Sequence, residues 1–138
     1  MIIVDTNVLS ALMRNVPDPQ VASWMDQQPA GSLWTTSVSV LEIRVGIETM
    51  PEGRKKAFLS ERFERLLDHI AHRVAVFGEE SARLSARLTG TRQKQGRAME
   101  IRDTMIAGIV LAHHARLATR NVGHFDDIAA KIVNPWTV

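Results

Sequence analysis

The stretch Met1-Ile2-Ile3-Val4-Asp5-Thr6-Asn7-Val8-Leu9-Ser10 decides the fold. Its first four residues are continuously apolar rather than alternating, the pattern of a strand buried on both faces, as in a parallel sheet. Asp5, Thr6 and Asn7 supply side chains that cap helices, and Val8 to Met13 reads as the helix that follows. A strand running straight into a capped helix opens an α/β unit. Asp5 thus stands at the carboxyl end of a buried strand, where open parallel sheets gather ligands.

The same alternation continues along the chain. Pro17-Asp18-Pro19 breaks the first helix, and Gln20 to Gln27 forms a second with Val21, Trp24 and Met25 on one face. A turn at Pro29-Ala30-Gly31 leads to a strand at 33–35, and Thr36 or Ser37 caps a helix running to about Thr49. Arg54 to about Ala71 is helical, with Phe58, Phe63, Leu66, Leu67 and Ile70 as core candidates. A strand over 73–77 and a helix from Glu79 to about Gly90 precede a polar, basic linker over 91–96. Helix 101–114 and strands at 117–119 and 132–133 complete the pattern. Short strands alternating with longer helices predict a three-layer α/β/α domain around a mostly parallel sheet of about five short strands, with residues 1–138 forming a single domain.

Composition narrows the function. The 138 residues are 45% hydrophobic and 23% charged, as in a soluble globular chain. Cys is absent, which excludes disulfides, thiolate metal sites and a cysteine nucleophile, and fits a reducing cytoplasm. The N-terminus carries an acid at position 5 and no basic region of a signal peptide, and the longest apolar run, 105–111, is too short to span a bilayer. A cytoplasmic protein without membrane contact is expected. The net charge is only +2, yet arginine heavily outnumbers lysine, and its planar fork suits phosphate.

Three acids remain hard to explain as surface decoration. Glu42 sits among Val38, Val40, Leu41, Ile43 and Val45, and it shares a helical face with Val38, Leu41 and Val45, the face expected to meet the core. Arg44 is not on that face, so Glu42 needs a partner from elsewhere. Asp103 opens the most apolar helix of the chain. Singly, Asp5 reads as a helix cap and Asp103 as a complement to a helix dipole. Together, at matching ends of matching elements, Asp5, Glu42 and Asp103 point to a site for magnesium or manganese, which favour oxygen ligands. His69, His72, His113 and His114 flank a strand or end a helix and read as surface or capping residues. The chemistry indicated is metal-assisted reaction of phosphate esters.

The ordered motifs resemble those of PIN domains, the metal-dependent nucleases that include VapC-type toxins, and are closest to the FitB-like branch. They comprise the opening 2–10, Thr36 to Ile47, Met50 to Arg54, Ile101 to Ala107, Leu117 to Asn121 and the closing Asn134-Pro135-Trp136. The resemblance spans essentially the whole chain. It implies a magnesium-dependent endoribonuclease, with manganese as a possible substitute, acting as the toxin of a bacterial toxin–antitoxin pair. Asp5 and Asp103 are then the direct metal ligands, Glu42 completes the acidic cluster, and Asn121 holds a water on the ion. The ion polarises the scissile phosphate and activates that water, Thr6 and Asn7 orient the acids, and Glu42 or Asp5 accepts the proton. The family often places a fourth acid where this chain has His124, which leaves open one ion or two, with Asp126 or Asp127 as substitutes through a small loop shift. Also implied are a cognate antitoxin laid across the cleft, operator DNA reached only through that antitoxin, and a homodimer.

Phosphate contacts are expected from Arg120, from Arg92, Lys94 and Arg97 in the linker, or from Arg54, Lys55 and Lys56. Leu9, Leu12, Met13, Val21, Trp24 and Met25 form an apolar surplus that suggests an interface. Two other readings exist. A phosphatase of the haloacid-dehalogenase type needs a second Asp where Asn7 stands, which demotes it. A catalytically weak RNA- or protein-binding module of the same fold is the remaining alternative.

Overall fold

The structure is a computed structural model that describes residues 1–98 and 100–138. Strand β1 (Ile2–Val4) is buried throughout, and its side chains alternate between two cores. Ile2 and Val4 join one cluster with Leu9, Val21, Ile43, Phe63 and Leu67. Ile3 joins the other, with Ile106, Ile109, Val110, Leu117 and Phe125. A strand that feeds two cores must have helices on both faces, which is why its sequence is apolar without alternation.

Around it lie β2 (Leu33–Thr36), β3 (Val74–Ala75), β4 (Arg116–Ala118) and β5 (Ile132–Val133), in the order β3-β2-β1-β4-β5. Every pairing is parallel. The helices are α1 (Thr6–Leu12), α2 (Pro19–Asp26), α3 (Ser37–Glu48), α4 (Arg54–His69), α5 (Glu79–Lys94) and α6 (Ile101–Ala112). Helices α1, α2 and α4 cover the first face; α5 and α6 cover the second, packed closely on each other. The chain builds outward from β1 through β2 to β3, then returns to β4 on the other side of β1. That reversal puts the topological switch point between the carboxyl ends of β1 and β4, where α/β sheets open a crevice.

Several expectations need correction. The linker expected at 91–96 is helix as far as Lys94: α5 runs through Gly90 and ends where Gly96, at φ +67°, takes the left-handed conformation that closes a helix. Leu9, Leu12, Met13, Val21, Trp24 and Met25 are all buried, so the apolar surplus of α1 and α2 is core and not interface. The face of α3 bearing Leu41 and Val45 is the one left open, at 59% and 50% exposure, while Ile43 and Ile47 enter the core. Phe58 is exposed as well. No helix among the described residues is long and apolar enough to cross a membrane.

The α5–α6 contact depends on Gly108, because a Cβ there would run into the Ser85 hydroxyl and the Ser81 carbonyl. The Ser85 hydroxyl is itself committed, donating to the Thr104 carbonyl at 3.1 Å. Gly108→Ala therefore gains helix propensity but forces two helices apart, and overpacking prevails at roughly 1–3 kcal/mol of lost stability. Urea unfolding checks it; a variant as stable as the parent would contradict the packing.

Candidate active site

Asp5 follows β1 and caps α1, its Oδ1 accepting from the Thr6 amide at 2.7 Å. The plain capping reading of this acid is thus correct, yet it leaves Oδ2 unaccounted for. That oxygen accepts from the Thr119 hydroxyl at 2.7 Å, across the sheet from the end of β4. Asn7 Nδ2 stands at 3.5 Å from the same oxygen. Asp5 is only 3% exposed. Burial pushes its carboxyl up to about 6, against the lowering by the Thr119 and Thr6 hydrogen bonds, and the nearby charges of Asp103 and Glu42 push the same way. A buried acid with acidic neighbours gains most from an added cation.

Glu42 reaches the cleft from α3. Thr6 Oγ1 donates to Glu42 Oε1 at 3.0 Å and lies 2.9 Å from Ser39 Oγ, so the first turn of α1 is tied to α3 through side chains. The partner that Glu42 required is Arg102, 3.6 Å from Oε2. Glu42 is less enclosed than its sequence surroundings indicate, with 23% of its side chain exposed, because it lies between the buried and open faces of α3. Arg44 is elsewhere, paired with Glu64 and stacked over Phe63.

Asp103 stands in the first turn of α6, where its amide donates to the capping residue Glu100 at 3.1 Å. Its Oδ2 lies 2.7 Å from His124 Nδ1. His124 is presented by the turn after β4 (Val122–His124), and that turn is strapped by two arginines, Arg92 of α5 and Arg97 just past its end. Arg92 is 2% exposed; it holds Asp127 through two hydrogen bonds at 2.7 Å and donates to the His124 carbonyl at 2.9 Å. Arg97 pairs with Asp126 at 2.9 Å and donates to the Gly123 carbonyl at 2.6 Å.

These contacts overturn two expectations. Arg92 and Arg97 do not form a mobile basic segment facing a substrate. Asp126 and Asp127 do not substitute at position 124, because each is bound to an arginine, and Arg92 holds Asp127 below the ordinary carboxylate range. Lys56 is likewise taken, by Glu52 at 2.6 Å.

Asp5, Glu42, Asp103 and Asn121 line one cleft of about 370 Å³, together with Thr6, Asn7, Arg14, Arg120 and Trp136. The structure thus brings every acid singled out in the sequence to one crevice at the switch point. It does not bring them to one point. Each is held by its own partner, and among the described residues no three His, Asp or Glu side chains converge closely enough to hold a metal ion. By donor type the set fits a hard divalent cation: several carboxylates, an amide oxygen and one acid that burial disfavours as a lone charge. Its loading requires Asp103 to turn from His124.

Sequence reasoning missed Thr119, Ser39 and Trp136. Thr119, fully buried, holds Asp5 in place through one hydroxyl that also accepts from the Asn121 amide at 3.1 Å. Thr119→Val keeps the shape and removes both bonds. It is expected to lower magnesium affinity roughly 10- to 100-fold, as loss of a ligand's supporting hydrogen bond does. Manganese titration followed by spin resonance reads this directly, and unchanged affinity would remove Thr119 from the site.

Comparison with known proteins finds relatives over nearly the whole chain. The family described as PIN domain matches residues 2–131. The chain is 36% identical to the plasmid stability protein StbB of Pseudomonas syringae pv. tomato over 137 residues, covering 99% of each. It is 34% identical to the VapC ribonuclease Y4jK of Sinorhizobium fredii, covering 99% of this chain and 98% of that one. The crystal structure of FitAcB from Neisseria gonorrhoeae superposes with a TM-score of 0.90 at 31% identity, covering the full length of both chains.

Proposed function

Because the chain belongs to the PIN domain family, we propose that it is a magnesium-dependent endoribonuclease and the toxin of a bacterial toxin–antitoxin pair. The observation that carries this reading is the buried Asp5, raised to about 6, sharing a cleft with Glu42 and Asp103. A ribonuclease name on one relative and a FitAcB structure with the same fold support it.

Asp5 and Asp103 would hold the ion, with Glu42 completing the set, and manganese would serve in its place. When bound, the ion supplies positive charge against the scissile phosphate and the attacking water. Everything else falls to the chain. Thr119 and the Thr6 amide fix the orientation of Asp5 and the Thr6 hydroxyl fixes Glu42, while Asp103 turns from His124 to join them. Glu42, part-exposed and hydrogen-bonded through only one oxygen to Thr6, is placed to take the proton of the attacking water. Asn121 orients that water from the far wall.

The antitoxin has a seat. Beside the acids lies an apolar groove of about 790 Å³ between α1, α3 and α4, lined by Met13, Ile43, Ile47, Met50, Phe58 and Leu59 and sharing Thr6 and Glu42 with the cleft. A partner helix laid there can carry a basic side chain to the acids. Operator DNA is reached through that partner only. A second copy of this chain packs on the open face of α3 at Leu41 and Val45, and action in the cytoplasm accords with the absence of cysteine.

One observation favours the alternative of a non-catalytic RNA- or protein-binding module: the acids do not converge in this arrangement. Incubation of a mixed RNA pool with the purified chain decides between them. Cleavage that requires magnesium and stops with EDTA is expected; intact RNA at every magnesium or manganese concentration would leave only the binding module.

A further inference from the structure

Six arginines of this chain are matched to acids: Arg44, Arg65, Arg83, Arg92, Arg97 and Arg102. Of the others, Arg120 is singled out by its place. It is exposed at the wall of a cleft containing three carboxylates, yet among the described residues none pairs with it. Its guanidinium lies 5.0 Å from the ring centroid of Trp136 instead. Its backbone is pinned as well, the amide donating to Asn7 Oδ1 at 3.2 Å. Trp136 is itself fixed, half-buried against the first core, with its amide bonded to Asn134 Oδ1 at 3.0 Å.

Stacking uses the face of a guanidinium and leaves its edge, where the N–H fork lies, free to donate. An arginine on a solvated loop ordinarily surrenders considerable rotamer freedom when it binds. Here the indole has already removed much of that freedom, so less is lost per hydrogen bond formed. A planar fork held beside acids, facing a crevice and unpaired, matches the two free oxygens of a phosphodiester. Arg14, on the same wall, lacks such a support and has no comparable claim.

Resting on the ribonuclease reading above, we infer that Arg120, held on Trp136, clamps a backbone phosphate of single-stranded RNA next to the scissile bond. Arg120 is the binding residue and Trp136 a positioning residue. The clamp holds the strand across the acids while leaving base identity unread, because a phosphate carries no sequence information.

The test measures binding, without cleavage, of a fluorescent single-stranded RNA to the Asp5→Asn chain without magnesium, over a range of salt. Arg120→Gln is expected to weaken binding about tenfold at low salt and to reduce the salt slope by roughly 0.7, as loss of one phosphate contact to a single strand does. Arg116→Gln removes the same charge at the opposite end of β4 and should leave both nearly unchanged. Trp136→Leu should weaken binding with the slope retained, and Trp136→Phe should restore it. If the parent binds RNA and Arg120→Gln behaves as Arg116→Gln, the clamp alone is wrong. If the parent binds no RNA, the clamp and the ribonuclease reading fall together; failure of the wild type to cleave RNA that it binds through Arg120 sinks only the latter.

Discussion

Asp5→Asn is expected to remove magnesium-dependent RNA cleavage, by roughly 10³-fold or more, while making the metal-free protein more stable at neutral pH. The first effect follows from the proposed role of Asp5 as a ligand of an ion whose charge would supply several kcal/mol in the transition state. The second follows from burial. The Asp5 carboxyl is raised from 3.8 to about 6 in the folded chain, so the folded state holds its proton more tightly than the unfolded state does. Stability from this group is complete below about pH 4 and is lost as pH rises through about 6. Above that, keeping Asp5 ionised costs about 3 kcal/mol, which asparagine avoids.

Denaturant unfolding of both proteins without metal, at several pH values, should show the advantage of Asp5→Asn opening between about pH 4 and 6 and staying level above. Saturating magnesium should narrow the gap by stabilising only the parent. An advantage independent of pH would disprove the burial argument, and a variant that still cleaves at the parental rate would remove Asp5 from catalysis.

The second large effect is on stability. Arg92→Met should destabilise the fold by about 3–5 kcal/mol, the usual cost of leaving one half of an enclosed ion pair. The loss strips the Asp127 carboxylate of both hydrogen bonds, leaving it only Arg97 at 3.7 Å, frees the carbonyl of His124, and loosens the turn that carries it. The companion Arg92→Met with Asp127→Leu removes both charges and should recover part of the loss. The acid side also changes sign relative to Asp5: Arg92 depresses the Asp127 carboxyl, so this pair's stability is present at neutral pH and lost as pH falls below the ordinary carboxylate range. Urea titration reads both, and a single variant within 1 kcal/mol of the parent would show the strap to be idle.

Much of this was legible because it depends on local pattern. A short apolar run without alternation, ended by helix-capping side chains, reads as a strand covered on both faces, and Asp5 at its end follows directly. The five strands and their parallel pairing follow from the regular spacing of short apolar runs and helices. The convergence of Asp5, Glu42 and Asp103 on one crevice follows from their positions at equivalent ends of elements.

What failed depended on distant partners. Arg92 resembles any solvated arginine at a helix end until Asp127, far along the chain, is folded against it. Glycines at 90 and 96 both look like helix stops, and only the second has the backbone conformation of one. On α3, apolar residues occupy more than one face, so Leu41 and Val45 could be assigned to the core as reasonably as Ile43 and Ile47. Thr119 falls inside the motif from Leu117 to Asn121, but nothing in the pattern shows its role, a single hydroxyl aimed across the sheet at Asp5.

The position of β1 has a consequence for synthesis. Of the five strands the central one is synthesised first, and it pairs with residues 33–34 on one side but waits for residues 116–118 on the other. Until those residues emerge, the crevice lacks its second wall, and Asp5 has no Thr119 to hold it. A translation product interrupted before them therefore carries the opening acid with the cleft only half built.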